Sequence, residues 1–298
     1  MITINDKEIK FTKFPNNETL VDTSYLSTLR GSKENIIIFK YDKDEDLLHF
    51  KFVLDYLFEQ ECVANNVVIT YMPYSRMDRS QNGSCFTLKY ILSMFKMHFL
   101  FNNFYIVEPH SDVSLCEGNI KPLYITPELC KIAITENPDI TAICFPDKGA
   151  KKRYTNLFKE YYPELNNLNI LYCNKTRDFN TGKITGLELV GDTTDVKSVL
   201  IADDLCSAGG TFYYTAQKLK ENGVENIFLA ITHTENNISN GELIKDTTPI
   251  NKIYTTDSMG SNLEYKNIEV IPLSEISLYK GIAYNDDKEL IKYIKNAV

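Results

Sequence analysis

A chain of 298 residues, 43% of them hydrophobic, is long enough to bury a substantial core, as one large domain or two medium ones, of which two are expected. Its formal net charge of −8 argues against binding nucleic acid over a broad surface, although local basic clusters can still hold phosphates, so a small ligand is expected. The seven cysteines include no CxxC pair and lie mostly in apolar runs (Cys62, Cys144, Cys173), which argues against a disulfide framework and for reduced thiols in the cytoplasm.

No stretch reads as a membrane span, because the most apolar window, residues 90–107, is broken by Lys96, His98 and two asparagines. In chain order, a β-branched run at 34–41 reads as a strand. A helical period through Leu47, Phe50, Val53, Leu54 and Leu57 follows, and then a strand at 66–73. The alternation continues with a helix at 86–97, strands at 104–107 and 140–145, a helix at 150–160 and a strand at 168–173. Strands at 226–231 and 252–256 and a closing helix at 286–295 complete it. Short buried strands alternating with helical spacing are the sequence form of a parallel α/β sheet. Two prolines within 121–127 favour a non-helical connection there. The expected domains are therefore 1–122 and 123–283, with 284–298 packing back on the first.

The richest stretch is 198–211, Ser-Val-Leu-Ile-Ala-Asp-Asp-Leu-Cys-Ser-Ala-Gly-Gly-Thr. An apolar run forms a strand, Asp203 and Asp204 are expected to end it, and Gly209-Gly210-Thr211 opens a helix. Glycines let a ligand approach the backbone, and free amides at a helix start favour a phosphate. Two adjacent carboxylates suit the vicinal hydroxyls of a sugar. The ordinary alternative, a tight turn with a capped helix, carries about even weight for this motif alone.

Four further candidate sites lie at strand ends, where open α/β sheets bind ligands. Arg76 and Arg79, with Met77 and Asp78 between them, form a loop that suits a polyphosphate, since guanidinium groups meet phosphate oxygens in pairs. A solvated charged loop would look the same. His110, in Glu108-Pro-His110, could bind a metal or simply cap a helix. Asp147, before a small-residue turn into a basic helix, could hold Mg²⁺ through its water shell. Lys175 and Arg177, beside a glycine-containing flap, could neutralise charge on a transferring group, though a hairpin with solvated lysines would also be ordinary.

In this order the motifs resemble those of the ribose-phosphate pyrophosphokinase (phosphoribosyl-diphosphate synthetase) family over nearly the whole chain. Lys13-Phe-Pro-Asn-Asn-Glu18 is similar to the family's Arg-Phe-x-Asp-Gly-Glu, and Pro73-Tyr-Ser-Arg-Met-Asp-Arg79 to its Gly-Tyr-Ala-Arg-Gln-Asp-Arg. Glu108-Pro-His110 is similar to Asp-Leu-His, the segment from Pro146-Asp147 to Gly149 to Pro-Asp-x-Gly, and Lys175-Thr-Arg177 to Lys-Arg-Arg. The resemblance implies two similar parallel-sheet domains of phosphoribosyltransferase type, Rossmann-like in layout. It also implies transfer of the β,γ-diphosphoryl group of ATP to the C1 hydroxyl of a ribose 5-phosphate, releasing AMP. It assigns ATP binding to Phe14, Asn16, Glu18, Arg76, Met77, Asp78 and Arg79, and Mg²⁺ to His110 and Asp147. Lys175 and Arg177 become catalytic, while Asp203, Asp204, Ser207, Ala208, Gly209, Gly210 and Thr211 hold the ribose phosphate. A homo-oligomer, dimer or hexamer, is implied, with no nucleic-acid or membrane partner.

The departures carry information. Ser207 and Ala208 stand where the family loop has Asp and Thr, giving room and less charge at the corner that grips a terminal phosphate. Ribose 5-phosphate remains the first expectation, with an extended acceptor such as ADP-ribose, whose pyrophosphate would serve NAD synthesis, as the alternative. Asn16, Asn17 and Met77 replace Asp, Gly and Gln at the ATP side. A phosphoribosyltransferase would not need the Arg-rich loop, and a nonenzymatic regulator would be expected to lack some of Lys175, Arg177, His110 and Asp147.

Overall fold

The computed structural model describes residues 1–81, 83–177 and 184–277, and of residues 160, 161, 164, 175–177, 184 and 185 the backbone alone. The helix expected at 286–295 lies outside the described residues. The chain forms two compact units, Met1–Tyr124 with Ser258–Gly260, and Ile125–Asp257 with Ser261–Ile276.

The first unit opens with four short strands that the periodicity did not reveal: β1 (Ile2–Ile4), β2 (Lys7–Glu8), β3 (Phe11–Lys13) and β4 (Thr19–Val21). Strands of two or three residues are too short to show alternation. There follow β5 (Ile36–Phe39), α1 (Asp44–Glu59), β6 (Asn66–Ile69), α2 (Thr87–Phe101), β7 (Asn103–Val107) and β8 (Ile120–Leu123). The sheet order is β2-β1-β5-β6-β7-β8, with β5 to β8 parallel and β1 antiparallel to β5. On α1 the positions Leu47, Phe50, Val53, Leu54 and Leu57 are buried, as their spacing requires, and Phe50 stacks on Phe39 at 4.2 Å.

At the N-terminal ends of these strands runs a ladder of asparagine amides. Asn5 donates to Asn35 Oδ1 (3.0 Å), Asn35 to Asn65 Oδ1 (2.8 Å), Asn65 to Asn102 Oδ1 (2.8 Å), and Asn102 to the His98 carbonyl (3.1 Å). Asn35, Asn65 and Asn102 are buried, and each directly precedes one of three adjacent parallel strands.

The second unit comprises α3 (Thr126–Glu136), β9 (Ile140–Phe145), α4 (Lys148–Tyr161), β10 (Asn169–Arg177), β11 (Ile184–Val190), β12 (Ser198–Cys206), α5 (Gly210–Glu221), β13 (Asn226–Thr234), β14 (Lys252–Thr256) and β15 (Ile268–Ile271). Its sheet order is β11-β10-β9-β12-β13-β14-β15. All neighbours are parallel except β11, which runs antiparallel to β10. Both units are thus α/β with largely parallel sheets.

Two expectations need correction. Residues 121–127 are not a plain connection: Pro122 lies in the edge strand β8, and Pro127 lies in the first turn of α3. Both are places where a missing N–H costs little. Nor do Asp203 and Asp204 end their strand, because β12 stays paired with β13 through Cys206 opposite Thr234. The acids are built into the ladder rather than left on a loop.

Candidate active site

The organising feature of the second unit is the join between β12 and α5. Gly209 is the N-cap of α5 at φ 79°, a left-handed conformation that favours glycine. A Cβ there would lie 2.6 Å from Leu243 Cγ and closer still to its Cδ1. Ala208 is covered in the same way, since a Cβ on Gly241 would lie 2.9 Å from the Ala208 carbonyl carbon. Gly210, by contrast, has no atom within 4 Å of the place a Cβ would occupy, so its surface is open. The first-turn amides of α5, at Gly210, Thr211 and Phe212, have no partner within the helix by helical geometry, which makes an anion cradle beside two half-buried residues, Ser207 and Ala208.

The two acids differ in surroundings. Asp203 Oδ1 accepts from the Asp204 amide (3.0 Å), and its carbonyl accepts from Thr126 Oγ1 (3.3 Å), a hydroxyl that also pairs with Thr232 Oγ1 (2.8 Å). Burial pushes the Asp203 carboxyl well above the usual range, and the negative neighbours Asp204 and Asp147 push it the same way. Asp204, 4% exposed, lies 3.6 Å from the Arg153 guanidinium on α4. Arg153, Thr126 and Thr232 are parts of this site that the motif alone does not reveal, because their positions depend on tertiary packing.

Asp147 is the N-cap of α4, with Oδ1 accepting from the Ala150 amide at 3.0 Å. Its ordinary capping role is therefore present, whatever else the carboxylate holds. Lys175 and Arg177 lie at the end of β10, opposite Leu187 and Ile184, with a register shift between Thr176 and Arg177. Their side chains lie outside the described residues, as does the segment 178–183.

In the first unit, the turn between β3 and β4 carries Phe14, Asn16 and Glu18. The Phe14 amide donates to the Glu18 carbonyl (2.9 Å), the Asn17 amide to the Phe14 carbonyl (2.9 Å), and the Glu18 amide to Asn16 Oδ1 (3.3 Å). Asn17 has φ 68°, and Asn tolerates that left-handed region better than other non-glycine residues. This explains why Asn can stand where the resembling motif has Gly. The hairpin is anchored on α1: Phe11 stacks on His49 at 4.2 Å, Thr19 Oγ1 meets His49 Nε2 at 3.0 Å, and Lys13 pairs with Glu45. The hydrogen bonds from Lys13 and then Lys43 hold the Glu45 carboxyl down at about 2.

The arginine loop is tethered at its first residue. Tyr74, at φ 60°, donates its hydroxyl to Asp44 Oδ1 (2.6 Å), which also accepts from Tyr41 (2.8 Å). Beyond it Arg76, Met77 and Arg79 are exposed, and Arg79 Nε donates to its neighbour Asp78 (3.0 Å). His110 is half-buried in the loop after β7, following the buried Glu108 at φ 41°. Beside it the hydroxyls of Ser111 and Ser114 are buried with no hydrogen-bond partner, two groups suited to a water or a phosphate oxygen.

Among the described residues no three His, Cys, Asp or Glu side chains converge on one ion position, and no helix is long and apolar enough to cross a membrane.

No protein-family model matches the chain. It is 28% identical to the ribose-phosphate pyrophosphokinase of Pyrococcus abyssi over 237 residues, 76% of this chain and 75% of that one. It is 27% identical to the enzyme of the same name from Sulfolobus acidocaldarius over 197 residues, 64% of this chain and 65% of that one, so this match spans just under two thirds of the relative. The fold is that of phosphoribosylpyrophosphate synthetase from Mycobacterium smegmatis, with a TM-score of 0.72 at 16% identity, covering 93% of this chain and 91% of that one. In fold, and in sequence over most of its length, the chain is thus similar to the ribose-phosphate pyrophosphokinases, departing from their loop at Ser207 and Ala208.

Proposed function

We propose that the chain transfers the diphosphoryl group of ATP to the C1 hydroxyl of ribose 5-phosphate, giving phosphoribosyl diphosphate and AMP. The observation that carries this reading is the Asp203-Asp204 strand running into the Gly209-Gly210-Thr211 cradle, open at Gly210, in a chain whose relatives carry that name. In the reaction the C1 oxygen bonds to the β-phosphorus, the bond from that phosphorus to the AMP oxygen breaks, and the hydroxyl proton is lost. Such a transfer depends on positioning and charge neutralisation more than on covalent help.

The α5 amides with Thr211 hold the 5-phosphate, and Asp203 and Asp204 hold the ribose hydroxyls. Phe14 and the turn of Asn16 and Glu18 take the base of ATP, while Arg76, with Met77, Asp78 and Arg79 around it, takes the phosphates. Lys175 and Arg177 offset the negative charge that develops during transfer. Asp147 in the second unit and, separately, His110 in the first are the residues that would hold Mg²⁺. Asp147 adds to the charge that raises the Asp203 carboxyl, and a cation there would relieve it; in the first unit the buried Ser111 and Ser114 hydroxyls near His110 lack hydrogen-bond partners. An ion held by one or two side chains, substrate phosphates and water is the usual Mg²⁺ arrangement. When bound it would supply charge neutralisation on the phosphates.

A second acceptor, a 5-phosphate-extended ribose such as ADP-ribose, is favoured by one observation, the small uncharged pair Ser207 and Ala208 in the cradle. Self-association is supported by an exposed apolar stripe on α2, formed by Tyr90, Met94, Met97 and Leu100. Light scattering should give a mass above the 34.2 kDa of one chain; a mass equal to one chain at working concentration rejects self-association. The function is tested by incubation with ATP, Mg²⁺ and either ribose 5-phosphate or ADP-ribose, with mass detection of AMP and the pyrophosphorylated sugar. No AMP with either acceptor would reject the reading.

A further inference from the structure

The strand neighbouring β12 delivers a second segment to the phosphate loop. Cys206 and Thr234 are register partners, and the Glu235 amide donates to the Cys206 carbonyl at 2.8 Å, so the two strands release their chains side by side. The segment after β13 makes a 3-10 turn, Asn236–Asn240, and together with the residues that follow it lies against three successive loop residues. Asn237 Nδ2 donates to Ser207 Oγ at 3.0 Å, Gly241 abuts the Ala208 carbonyl, and buried Leu243 covers Gly209. Asn240 Nδ2 donates to Asn237 Oδ1 at 2.8 Å, and Asn236 Oδ1 accepts from the Asn262 amide at 2.8 Å. With Asn240 donating to its carbonyl, the Asn237 carboxamide presents its NH₂ to Ser207.

From this contact we infer that Asn237 is a positioning residue for acceptor binding, holding Ser207 as a hydrogen-bond donor toward the phosphate of the acceptor. The inference rests on the reading of residues 207–211 as the ribose-phosphate loop. A hydroxyl carries one proton and two lone pairs. With one lone pair of Ser207 Oγ occupied by the Asn237 amide, its proton is left to donate to a phosphate held on the α5 amides. An aspartate at this position, as in the usual family loop, only accepts. The corner is therefore converted from an acceptor to a donor. An acceptor corner selects a phosphate that has a proton to give, which a terminal monoester has near its second ionisation and a diester lacks at neutral pH. A donor corner serves both, so the ligand class it takes is ribose 5-phosphoryl groups, terminal or esterified.

The test compares the parent chain with Asn237→Ala, Asn237→Asp and Asn240→Ala, measuring AMP release with ribose 5-phosphate and with ADP-ribose. Asn237 is exposed, so the variants should fold, and melting curves check this. Asn237→Ala should lower kcat/KM for the acceptor about tenfold, the scale of one charge-assisted hydrogen bond. Asn237→Asp should cost roughly a hundredfold, since a carboxylate draws the Ser207 proton to itself and adds repulsion. Asn240→Ala should act in the same direction but less. The KM for ATP should stay unchanged in all three. An Asn237→Asp variant no worse than Asn237→Ala, or an ATP KM that moves in step with that of the acceptor, would overturn the inference. Calorimetric titration with ribose 5-phosphate alone separates this from the catalytic reading. Binding that weakens in Asn237→Asp supports the inference even if no AMP is formed, whereas equal binding in parent and variant overturns it whatever the turnover. No binding of ribose 5-phosphate by the parent overturns both.

Discussion

Replacing Gly209 by alanine tests whether the cradle has the shape described. Its φ of 79° costs an L-residue about 1–2 kcal/mol. The added Cβ would lie 2.6 Å from Cγ of Leu243, a side chain at 0% exposure that cannot swing into solvent. Overpacking of this kind adds about 1–3 kcal/mol. Reduced freedom of the unfolded chain returns about 0.4–1 kcal/mol. The net loss is therefore about 2–4 kcal/mol, or roughly 5–15 °C in the melting of a unit of this size. Circular dichroism melts should be run beside Gly210→Ala, where neither a positive φ nor an atom within 4 Å stands in the way. That variant should stay within about 1 kcal/mol of the parent, since glycine has no advantage in a helical turn. Leu243→Ala should be destabilising alone, and combined with Gly209→Ala should cost less than the sum, because the two side chains compete for one space. If both glycine variants melted alike, or Gly209→Ala melted with the parent, the packing account of this loop would be wrong.

Lys175→Ala and Arg177→Ala should each lower turnover by about 10²–10³ while leaving the half-saturating ATP concentration nearly unchanged, as for a group acting in the transition state; near-normal turnover with a raised ATP requirement would contradict that role. Ser207→Asp with Ala208→Thr should move the ratio of kcat/KM toward ribose 5-phosphate and away from ADP-ribose, and an unchanged ratio would mean acceptor choice is made elsewhere. Asp203→Asn should melt higher than the parent near pH 7 yet lose activity. Its carboxyl is raised in the folded state, so the unfolded chain ionises first. The penalty is absent below the unfolded value near 4 and grows as pH rises above it, so the two melting curves should converge toward pH 4. An advantage for the variant that is independent of pH would refute the assignment.

Much of the architecture was legible because the buried strands are long and β-branched. Val199, Leu200 and Ile201 read as a strand without help, and the α1 positions 47, 50, 53, 54 and 57 fall on one helical face. What was not legible has physical reasons. The strands of the first 21 residues are too short to carry a period, and their hairpin is held by contacts with α1 such as Phe11 with His49. Asp203 and Asp204 look like a strand terminus because carboxylates are costly to bury; here Arg153 from another element faces Asp204, and burial raises the Asp203 carboxyl above its usual range. The glycines and acids of the cradle were visible as a motif, but the asparagine turn beside it was not, because sequence separation hides the contact between Ser207 and residues 30 or more positions on.

The asparagine ladder under the first sheet bears on how that unit opens. A strand that slipped by one residue would turn a buried amide away from its partner, and an unpaired buried polar group costs about 1–3 kcal/mol. Neighbouring strands β5, β6 and β7 therefore share one set of polar fastenings at their starts, and none can let go without disturbing the next. Amide hydrogen exchange should accordingly show the amides of residues 36, 66 and 103 protected together, released only in a collective opening of the sheet, while the Tyr74 to Arg79 loop at the opposite strand ends exchanges through small local fluctuations. Such a division would let the arginine loop adjust its shape on fast timescales without loosening the register of the strands that carry it.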